Sequence, residues 1–107
     1  MKTLEKLEKN GISLKYNEII DLCSQFKIKE FSIFGSSLRD DFNENSDVDV
    51  LVSFIEDAPI SLFDIIDLQL KLEEMLKRKV DVVEKEALKN PIRRKIILES
   101  METIYAA

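Results

Sequence analysis

Apolar residues near the start of the chain recur three and four positions apart, which is the spacing of an amphipathic helix. Leu4 and Leu7 predict a short first helix that ends near Asn10–Gly11, because glycine readily adopts the left-handed backbone that stops a helix. A second helix is predicted after Ser13, which is a suitable N-cap residue. Its apolar face consists of Ile19, Leu22, Cys23 and Phe26.

Helical spacing returns twice in the second half of the chain. Ser61 follows a break at Ala58–Pro59 and is placed to cap a long third helix. Pro91 suits the first turn of a last helix, whose apolar stripe is either core or a partner surface. The apolar residues of the third helix are Leu62, Ile65, Leu68, Leu72, Met75 and Leu76. Those of the last helix are Ile92, Ile96, Ile97, Met101, Ile104 and Tyr105.

Three short segments have the composition or the alternation of β-strands. Phe31–Phe34 is a β-prone run that ends at Gly35, and Val80–Val83 is another short run. Asp47–Phe54 is the clearest strand, because apolar and polar residues alternate along it. One face is predicted to carry Val48, Val50, Val52 and Phe54, and the other Asp47, Asp49, Leu51 and Ser53.

The pattern therefore predicts three short strands interspersed among helices along the chain. This order predicts an α/β (α+β) fold, in which helices flank a small mixed β-sheet. No repeat or linker divides the chain, so residues 1–107 are expected to form a single domain. The order of the strands within the sheet does not follow from the pattern.

The composition excludes several kinds of catalytic site. The chain has 107 residues and no histidine, so it has no His general base and no imidazole metal ligand. Its single cysteine permits no internal disulfide, and we expect Cys23 to be a buried thiol in a reducing compartment. The two glycines, Gly11 and Gly35, are too few for a GxGxxG loop and too far apart for a GxxxxGK[ST] loop. Catalysis must therefore use carboxylates, Lys, Arg, hydroxyl groups or a hard metal ion.

Charge is distributed unevenly along the chain. The net charge of −5 argues against direct nucleic-acid binding. Positions 40–70 contain acidic residues but no Lys or Arg, whereas positions 71–95 are mainly basic. Either two solvated faces of opposite sign or an acidic, cation-holding centre beside a basic region would give this pattern. Residues 1–10 lack the apolar segment of a secretory signal, and no apolar run could span a membrane, so a cytoplasmic protein is expected.

The sequence FGSSLRD follows the first predicted strand. Gly35 permits a backbone conformation that is closed to other residues and lets a ligand approach the main chain. Ser36 begins a predicted helical turn, Ser36–Asp41, whose free N–H groups favour a phosphate, and Arg39 is placed to add a guanidinium. An ordinary turn with a helix cap would also explain Gly35–Ser36. A polar loop, Phe42–Ser46, follows the turn.

Asp47 and Asp49 lie two positions apart on a predicted strand and therefore point to the same side, with Cα atoms about 6.6 Å apart. Two like charges this close repel unless a cation lies between them, and Mg²⁺ prefers such oxygen ligands. If the strand that contains Asp81 pairs beside them, three carboxylates converge, which is enough for two metal ions. In that arrangement Asp81 activates the attacking hydroxyl. Alternatively, each aspartate lies on the solvent face of its strand.

Gly35–Ser36, ten further residues and Asp47-Val48-Asp49 match the GS-x10-DxD signature of the polymerase-β-type nucleotidyltransferases. The longer match, FGSSLRD…SDVDVLV, resembles the minimal nucleotidyltransferase (MNT) family over nearly the whole chain. The resemblance implies a minimal polymerase-β-like fold. It implies a nucleotide-phosphate site at Gly35, Ser36 and Arg39, and catalytic, metal-binding carboxylates at Asp47, Asp49 and Asp81.

The match is not complete in the turn. Leu38 stands where the family's GSxARG stretch usually has Ala, and Asp40 stands where it has Gly. These departures leave the carboxylates intact, but they leave open how the turn packs and which acceptor it admits.

Proteins of the MNT family are typically antitoxins that pair with a HEPN-domain ribonuclease toxin in type VII-like systems. The resemblance therefore implies a protein adenylyltransferase that uses two Mg²⁺ ions to move AMP from ATP to a tyrosine hydroxyl of the toxin. The implied partners are that toxin and the nucleoside triphosphate. Two alternatives stay open: a small-molecule transferase of the aminoglycoside-modifying kind, for which 107 residues leave little room, and a non-catalytic antitoxin that covers the toxin's active site.

Overall fold

The computed structural model describes the backbone of residues 2–107 and the side chains of residues 4–107. This part of the chain forms four helices and four strands, with two short 3-10 turns at Gly35–Leu38 and Lys85–Ala87. In chain order, the elements are α1 Lys2–Lys9, α2 Tyr16–Phe26, β1 Ile28–Phe34, β2 Val48–Phe54, α3 Leu62–Leu76, β3 Val80–Glu84, α4 Pro91–Ser100 and β4 Glu102–Ala106.

The four strands form one mixed sheet in the order β3-β2-β1-β4. β2 runs parallel to β3, whereas β1 is antiparallel to both of its neighbours. The predicted α/β class with a small mixed sheet is therefore confirmed. The β2–β3 register places Asp49 directly opposite Asp81, which brings two of the candidate carboxylates together at one end of the sheet.

The two faces of the sheet bury two separate cores. Residues of α1, α2 and α3 pack on one face, where Val48, Val50, Val52 and Phe54 are buried as the alternation predicts. α4 covers part of the other face, with a smaller core made of Phe34, Leu51, Leu88 and Ile97. Because side chains alternate along a strand, Asp49 lies on the same face as Leu51, beneath α4. The α4 face therefore carries the candidate chemistry.

One of the two predicted serine caps is correct. The Ser61 side chain accepts a hydrogen bond from the Asp64 backbone N–H, 3.3 Å, and the Asp64 carboxylate accepts one from the Ser61 N–H, 2.8 Å, so α3 begins with a capping box. The prediction for Ser13 is wrong, since α2 begins at Tyr16 without a side-chain cap. An extended segment precedes α2 and buries Ile12 and Leu14, two positions apart, in the main core.

The end of the chain also differs from the prediction. α4 begins at Pro91 as expected, but it ends at Ser100, and β4 follows. The pattern predicts three strands, and the described residues form four. The physical reason lies in β1. Its edge that faces away from β2 would otherwise have unpaired backbone N–H and C=O groups, and β4 pairs with them.

The predicted apolar stripe of the last helix is therefore divided between a helix and a strand. Four of its members contribute to the cores: Ile97, Met101, Ile104 and Tyr105. Ile92 and Ile96 are instead 72% and 61% exposed on α4. Core packing thus explains most of the stripe, while two isoleucines remain at the surface.

Smaller differences concern the strand ends and Cys23. β1 starts three residues earlier than predicted, at Ile28, and β2 starts at Val48, so that Asp47 immediately precedes the strand. Cys23 is buried as expected, and burial raises the pKa of its thiol to about 12. Within residues 2–107, no helix has both the length and the apolar character needed to cross a membrane.

Candidate active site

Gly35 joins β1 to the 3-10 turn in a conformation that strongly favours glycine. Its φ is +78°, and the turn that it starts, Gly35–Leu38, is shorter than the predicted helical turn. A Cβ atom at this position would overlap the Asp49 carboxylate oxygen Oδ2 and lie 3.3 Å from Asp49 Cγ. The backbone of the turn and the first carboxylate of β2 are therefore in direct contact, which only glycine allows.

Two side chains hold the turn in place. The Asn10 amide donates hydrogen bonds to the carbonyl oxygens of Ser37, 2.8 Å, and Arg39, 3.2 Å. The Ser36 hydroxyl donates to the carbonyl oxygen of Asp47, 3.2 Å, which ties the turn to the residue before β2. The Gly-Ser turn is thus fixed both to the end of α1 and to the aspartate segment.

The three predicted carboxylates lie at the same end of the sheet. Asp49 and Asp81 are partners across the parallel β2–β3 ladder, where neighbouring strands are about 4.8 Å apart. Asp47, which precedes β2, and Asp81 are exposed, whereas Asp49 is half-buried against the Gly35 turn. The alternative in which all three lie on open solvent faces does not hold for Asp49.

The ionisation of Asp49 reflects this crowding. Burial raises its pKa above the usual value, and the nearby charges of Asp81 and Asp47 raise it further. The guanidinium groups of Arg93 and Arg39 act in the opposite direction, with Arg93 having the larger effect. The Asp49 carboxyl therefore interacts with two acids and two cations, and the concentration of negative charge favours a bound cation.

The loop before Asp47 is anchored by Arg78, which lies between α3 and β3 in the chain. Its guanidinium donates hydrogen bonds to the carbonyl oxygens of Asn43, 3.1 Å, and Ser46, 3.3 Å, and lies 4.5 Å from the centre of the Phe42 ring. The Val48 N–H donates to the carbonyl oxygen of Lys79, 3.0 Å, where β2 meets β3. These contacts fix the backbone that presents Asp47.

An open cleft of about 800 Å³ lies beside the turn, between the 3-10 segment and α4. Gly35 and Arg39 line it on one side, and Arg93 lies on the other. Arg39 is exposed and forms a 3.3 Å ion pair with Asp41, a surface contact of small energetic value. The remaining lining residues are Lys6, Phe34, Leu38, Asn90, Ile92, Ile96, Ile97, Ser100 and Glu102.

The two departures from the family motif lie in different surroundings. Leu38 is partly buried, packs against the main core and also lines the cleft. Asp40 is exposed. The larger side chain at position 38 is therefore accommodated by apolar packing at the edge of the cleft.

The carboxylates suit a hard cation that a substrate helps to bind. Within residues 4–107, no three Asp, Glu, Cys or His side chains are gathered closely enough to hold a metal ion by themselves. Mg²⁺, however, is commonly bound by one or two carboxylates together with substrate phosphates and water. The half-buried Asp49 carboxylate, the exposed carboxylates of Asp47 and Asp81 that repel it, and the adjacent cleft with cationic side chains fit such an ion.

Two residues of the site do not follow from the sequence pattern. Asn10 is predicted only as part of a helix stop, although its side chain anchors the turn. Arg93 belongs to none of the predicted motifs. One feature of the sequence could have identified Arg93. The helix dipole favours negative charge in the first turn of a helix, but the first turn of α4 has no acidic residue and instead contains Arg93 and Arg94.

A comparison with protein families agrees with these motifs. The model of the nucleotidyltransferase domain family matches residues 17–104, which include every predicted site residue. Among named relatives, the protein adenylyltransferase MntA of Thermococcus cleftensis is 38% identical over 99 residues, covering 92% of this chain and 94% of that protein.

Solved structures show the same fold. A toxin–antitoxin structure with AMP-PNP superposes with a TM-score of 0.70 at 22% identity, over 88% of this chain and 75% of that one. A complex of a tri-AMPylated Shewanella oneidensis HEPN toxin with its MNT antitoxin gives a TM-score of 0.63 at 19% identity, over 94% of this chain and 73% of that one. With its Gly-Ser turn and aspartate pair in place, this chain belongs to the nucleotidyltransferase family.

Proposed function

We propose that this chain is an antitoxin that transfers AMP from ATP to a tyrosine hydroxyl of a HEPN-family toxin and thereby silences it. The MntA relative and the toxin–antitoxin structures support the reaction class and the kind of partner. Since ATP is a cytoplasmic substrate, we place the reaction in the cytoplasm.

The observation that carries this proposal is the contact between the Gly35 turn and Asp49 at the mouth of a cationic cleft. A nucleoside triphosphate needs a backbone that it can approach closely, cationic side chains for its phosphates, and oxygen ligands for its metal ion. All three requirements meet at one end of the sheet. An acceptor hydroxyl can then reach the α-phosphorus from the open side.

The reaction replaces one phosphorus–oxygen bond by another. The tyrosine oxygen bonds to the α-phosphorus, the bond from that phosphorus to the oxygen bridging to the β-phosphate breaks, and pyrophosphate leaves. Asp81 accepts the proton of the tyrosine hydroxyl, while Gly35 and Ser36 orient the phosphates. Such a reaction depends mainly on positioning and on neutralising charge, which explains how a site without histidine performs it.

Asp47, Asp49 and Asp81 are the residues that would hold Mg²⁺. When bound, the ion would offset the negative charge of the phosphates and of the departing pyrophosphate. Because Asp49 is crowded by two like charges, its carboxylate gains the most from a nearby cation.

The proposal is tested with purified protein, Mg²⁺, a purified HEPN-family partner encoded by the neighbouring gene, and ATP labelled at either the α- or the γ-phosphorus. We expect the partner to acquire label from the α-position and none from the γ-position. Asp49→Asn should lower the transfer rate at least about a hundredfold, because a carboxylate that would hold the charge-neutralising Mg²⁺ is lost.

Asp57→Asn is the matched control. Asp57 is exposed, follows the far end of β2 and has a positive φ of 64°, which asparagine tolerates well. Asp57→Asn changes the net charge by the same amount as Asp49→Asn, and its rate of AMP transfer should stay at the wild-type value. Transfer of γ-label, absence of any transfer, or an Asp49→Asn variant with wild-type activity would contradict the proposed reaction.

A further inference from the structure

The cleft beside the Gly35 turn is an exception to the acidic character of the chain. Its charged lining consists of three cations, Lys6, Arg39 and Arg93, and one acid, Glu102, whereas the whole chain has a net charge of −5. The cations lie close to an acidic cluster, with Arg39 and Arg93 both acting on Asp49. A ligand that spans both regions must carry negative charge into the cleft and present a metal-binding group to the aspartates.

Arg93 differs from the two cations that follow it on α4. Arg94 donates a hydrogen bond to the carbonyl oxygen of Lys85, 3.2 Å, and Lys95 lies 4.0 Å from Glu99. The Arg93 guanidinium has no hydrogen bond or ion pair with any of the described residues, although it lines the cleft. Its backbone is nevertheless fixed, because its N–H donates to the Asn90 side chain, 3.1 Å.

The position of Arg93 in its helix is also unfavourable without a ligand. It lies in the first turn of α4, near the positive end of the helix dipole, where a cation is destabilising. An anion bound there would offset the repulsion between the Arg93 charge and the helix dipole. The anion would itself be stabilised by the guanidinium and by the positive end of the dipole.

We propose that Arg93 binds the β- and γ-phosphates of the nucleotide and holds the pyrophosphate as it leaves. This assignment rests on the proposed function, since it requires the α-phosphate to lie at the end of the sheet that carries Asp49 and Asp81, where Mg²⁺ would offset their like charges. The rest of the triphosphate is repelled by the uncovered part of the acidic cluster and extends into the cationic cleft. The planar guanidinium can bind two phosphate oxygens at once, which a lysine ammonium cannot do with the same geometry.

The test compares the binding of ATP and of AMP, each with Mg²⁺, by titration calorimetry and without the toxin partner. Arg93→Gln should raise the Kd of ATP about ten- to a hundredfold, the range expected for a lost hydrogen bond to a charged group, and leave the Kd of AMP within about twofold. Arg93→Lys should give an intermediate Kd for ATP, because it keeps the positive charge but loses the planar guanidinium that can bind two phosphate oxygens at once.

Lys95→Gln is the control, since it removes the same charge from the same helix outside the cleft. It should bind both nucleotides as the wild type does. The Arg93 guanidinium makes no hydrogen bond or ion pair with the described residues and lies at the positive end of a helix dipole, so the melting temperature of Arg93→Gln should not fall. Wild-type ATP affinity in Arg93→Gln, or an equal loss of ATP and AMP binding, would overturn the assignment.

The assignment and the proposed function fail in different ways. If Arg93→Gln weakens ATP selectively but the wild type transfers no AMP, the phosphate site stands and the proposed reaction is wrong. If the wild type transfers AMP and Arg93→Gln binds ATP normally, the reaction stands and Arg93 has no part in binding the triphosphate.

Discussion

Replacement of Gly35 by alanine tests whether the turn and Asp49 act as one unit. The new Cβ would overlap the Asp49 carboxylate, and an ordinary contact requires a displacement on the order of 1 Å. Because the Asp49 side chain is the movable partner, we expect it to turn away from the Gly35 turn. A misplacement of this size in a catalytic group lowers the rate about a hundredfold.

Gly11→Ala is a closely matched control. Gly11 has a φ of +80°, almost the same as the +78° of Gly35, so both substitutions force an L-residue into the left-handed region at a cost of roughly 1–2 kcal/mol. A Cβ at Gly11 would lie 3.8 Å from Arg78 Nη2, which is an ordinary van der Waals contact. The two variants therefore share the backbone strain and differ in the contact with Asp49.

The assay combines thermal unfolding with transfer of α-labelled AMP to the HEPN-family partner. Both variants should lose a similar amount of stability through backbone strain. The loss is partly offset because alanine lowers the conformational entropy of the unfolded chain. Only Gly35→Ala should also lose transfer activity. Wild-type activity in Gly35→Ala, or an equal loss of activity in Gly11→Ala, would refute the direct coupling of the turn to Asp49.

Three further substitutions or treatments give distinct outcomes. Asn10→Ala should lower AMP transfer more than Asn17→Ala, an exposed control in α2, because it removes the two hydrogen bonds that hold the turn; equal activities would contradict this. Ser61→Ala removes the α3 cap and should lower the free energy of unfolding by about 1 kcal/mol in a urea titration. AMP transfer should be unchanged, because the cap lies outside the cleft, and reduced transfer in the folded variant would contradict this. Cys23 should resist alkylation at pH 8 in the native state and react after denaturation, as followed by mass spectrometry, because its buried thiol has a pKa of about 12; rapid native labelling would oppose this.

The same thiol gives the pH dependence of stability a definite sign. The unfolded thiol ionises near its ordinary pKa of 9.0, whereas burial keeps the folded thiol protonated up to a pKa of about 12. The unfolded state therefore releases a proton first, and stability falls as the pH rises between these two values. Cys23→Ala should flatten this part of the stability curve.

The parts of the fold that depend on local pattern were predictable. The alternation along β2 identified both of its faces, because a strand between two cores must bury different residues on each side. Asp49 could be placed for the same reason, as an acid on the face opposite the valines. The pairing of Asp49 with Asp81 was predicted only conditionally, since the β2–β3 register is a non-local property.

The end of the chain shows why the remainder was not predictable. Ile97, Met101, Ile104 and Tyr105 have helical spacing, so the local pattern favours one continuous helix. The unpaired edge of β1 decides otherwise, because β4 satisfies its backbone groups and buries Ile104 in the main core. No local signal reports that edge, which lies about 70 residues earlier in the chain.

The proposed transfer of AMP is tested most directly by the intact mass of the HEPN-family partner. The partner is purified from cells that co-express it with either the wild-type chain or its Asp49→Asn variant. We predict that the wild type increases the mass of the partner by one or more AMP units, located on tyrosine by fragmentation, and that Asp49→Asn leaves the mass unchanged. A partner of unmodified mass whose toxicity the wild-type chain still neutralises would contradict the account, because silencing would then require binding alone.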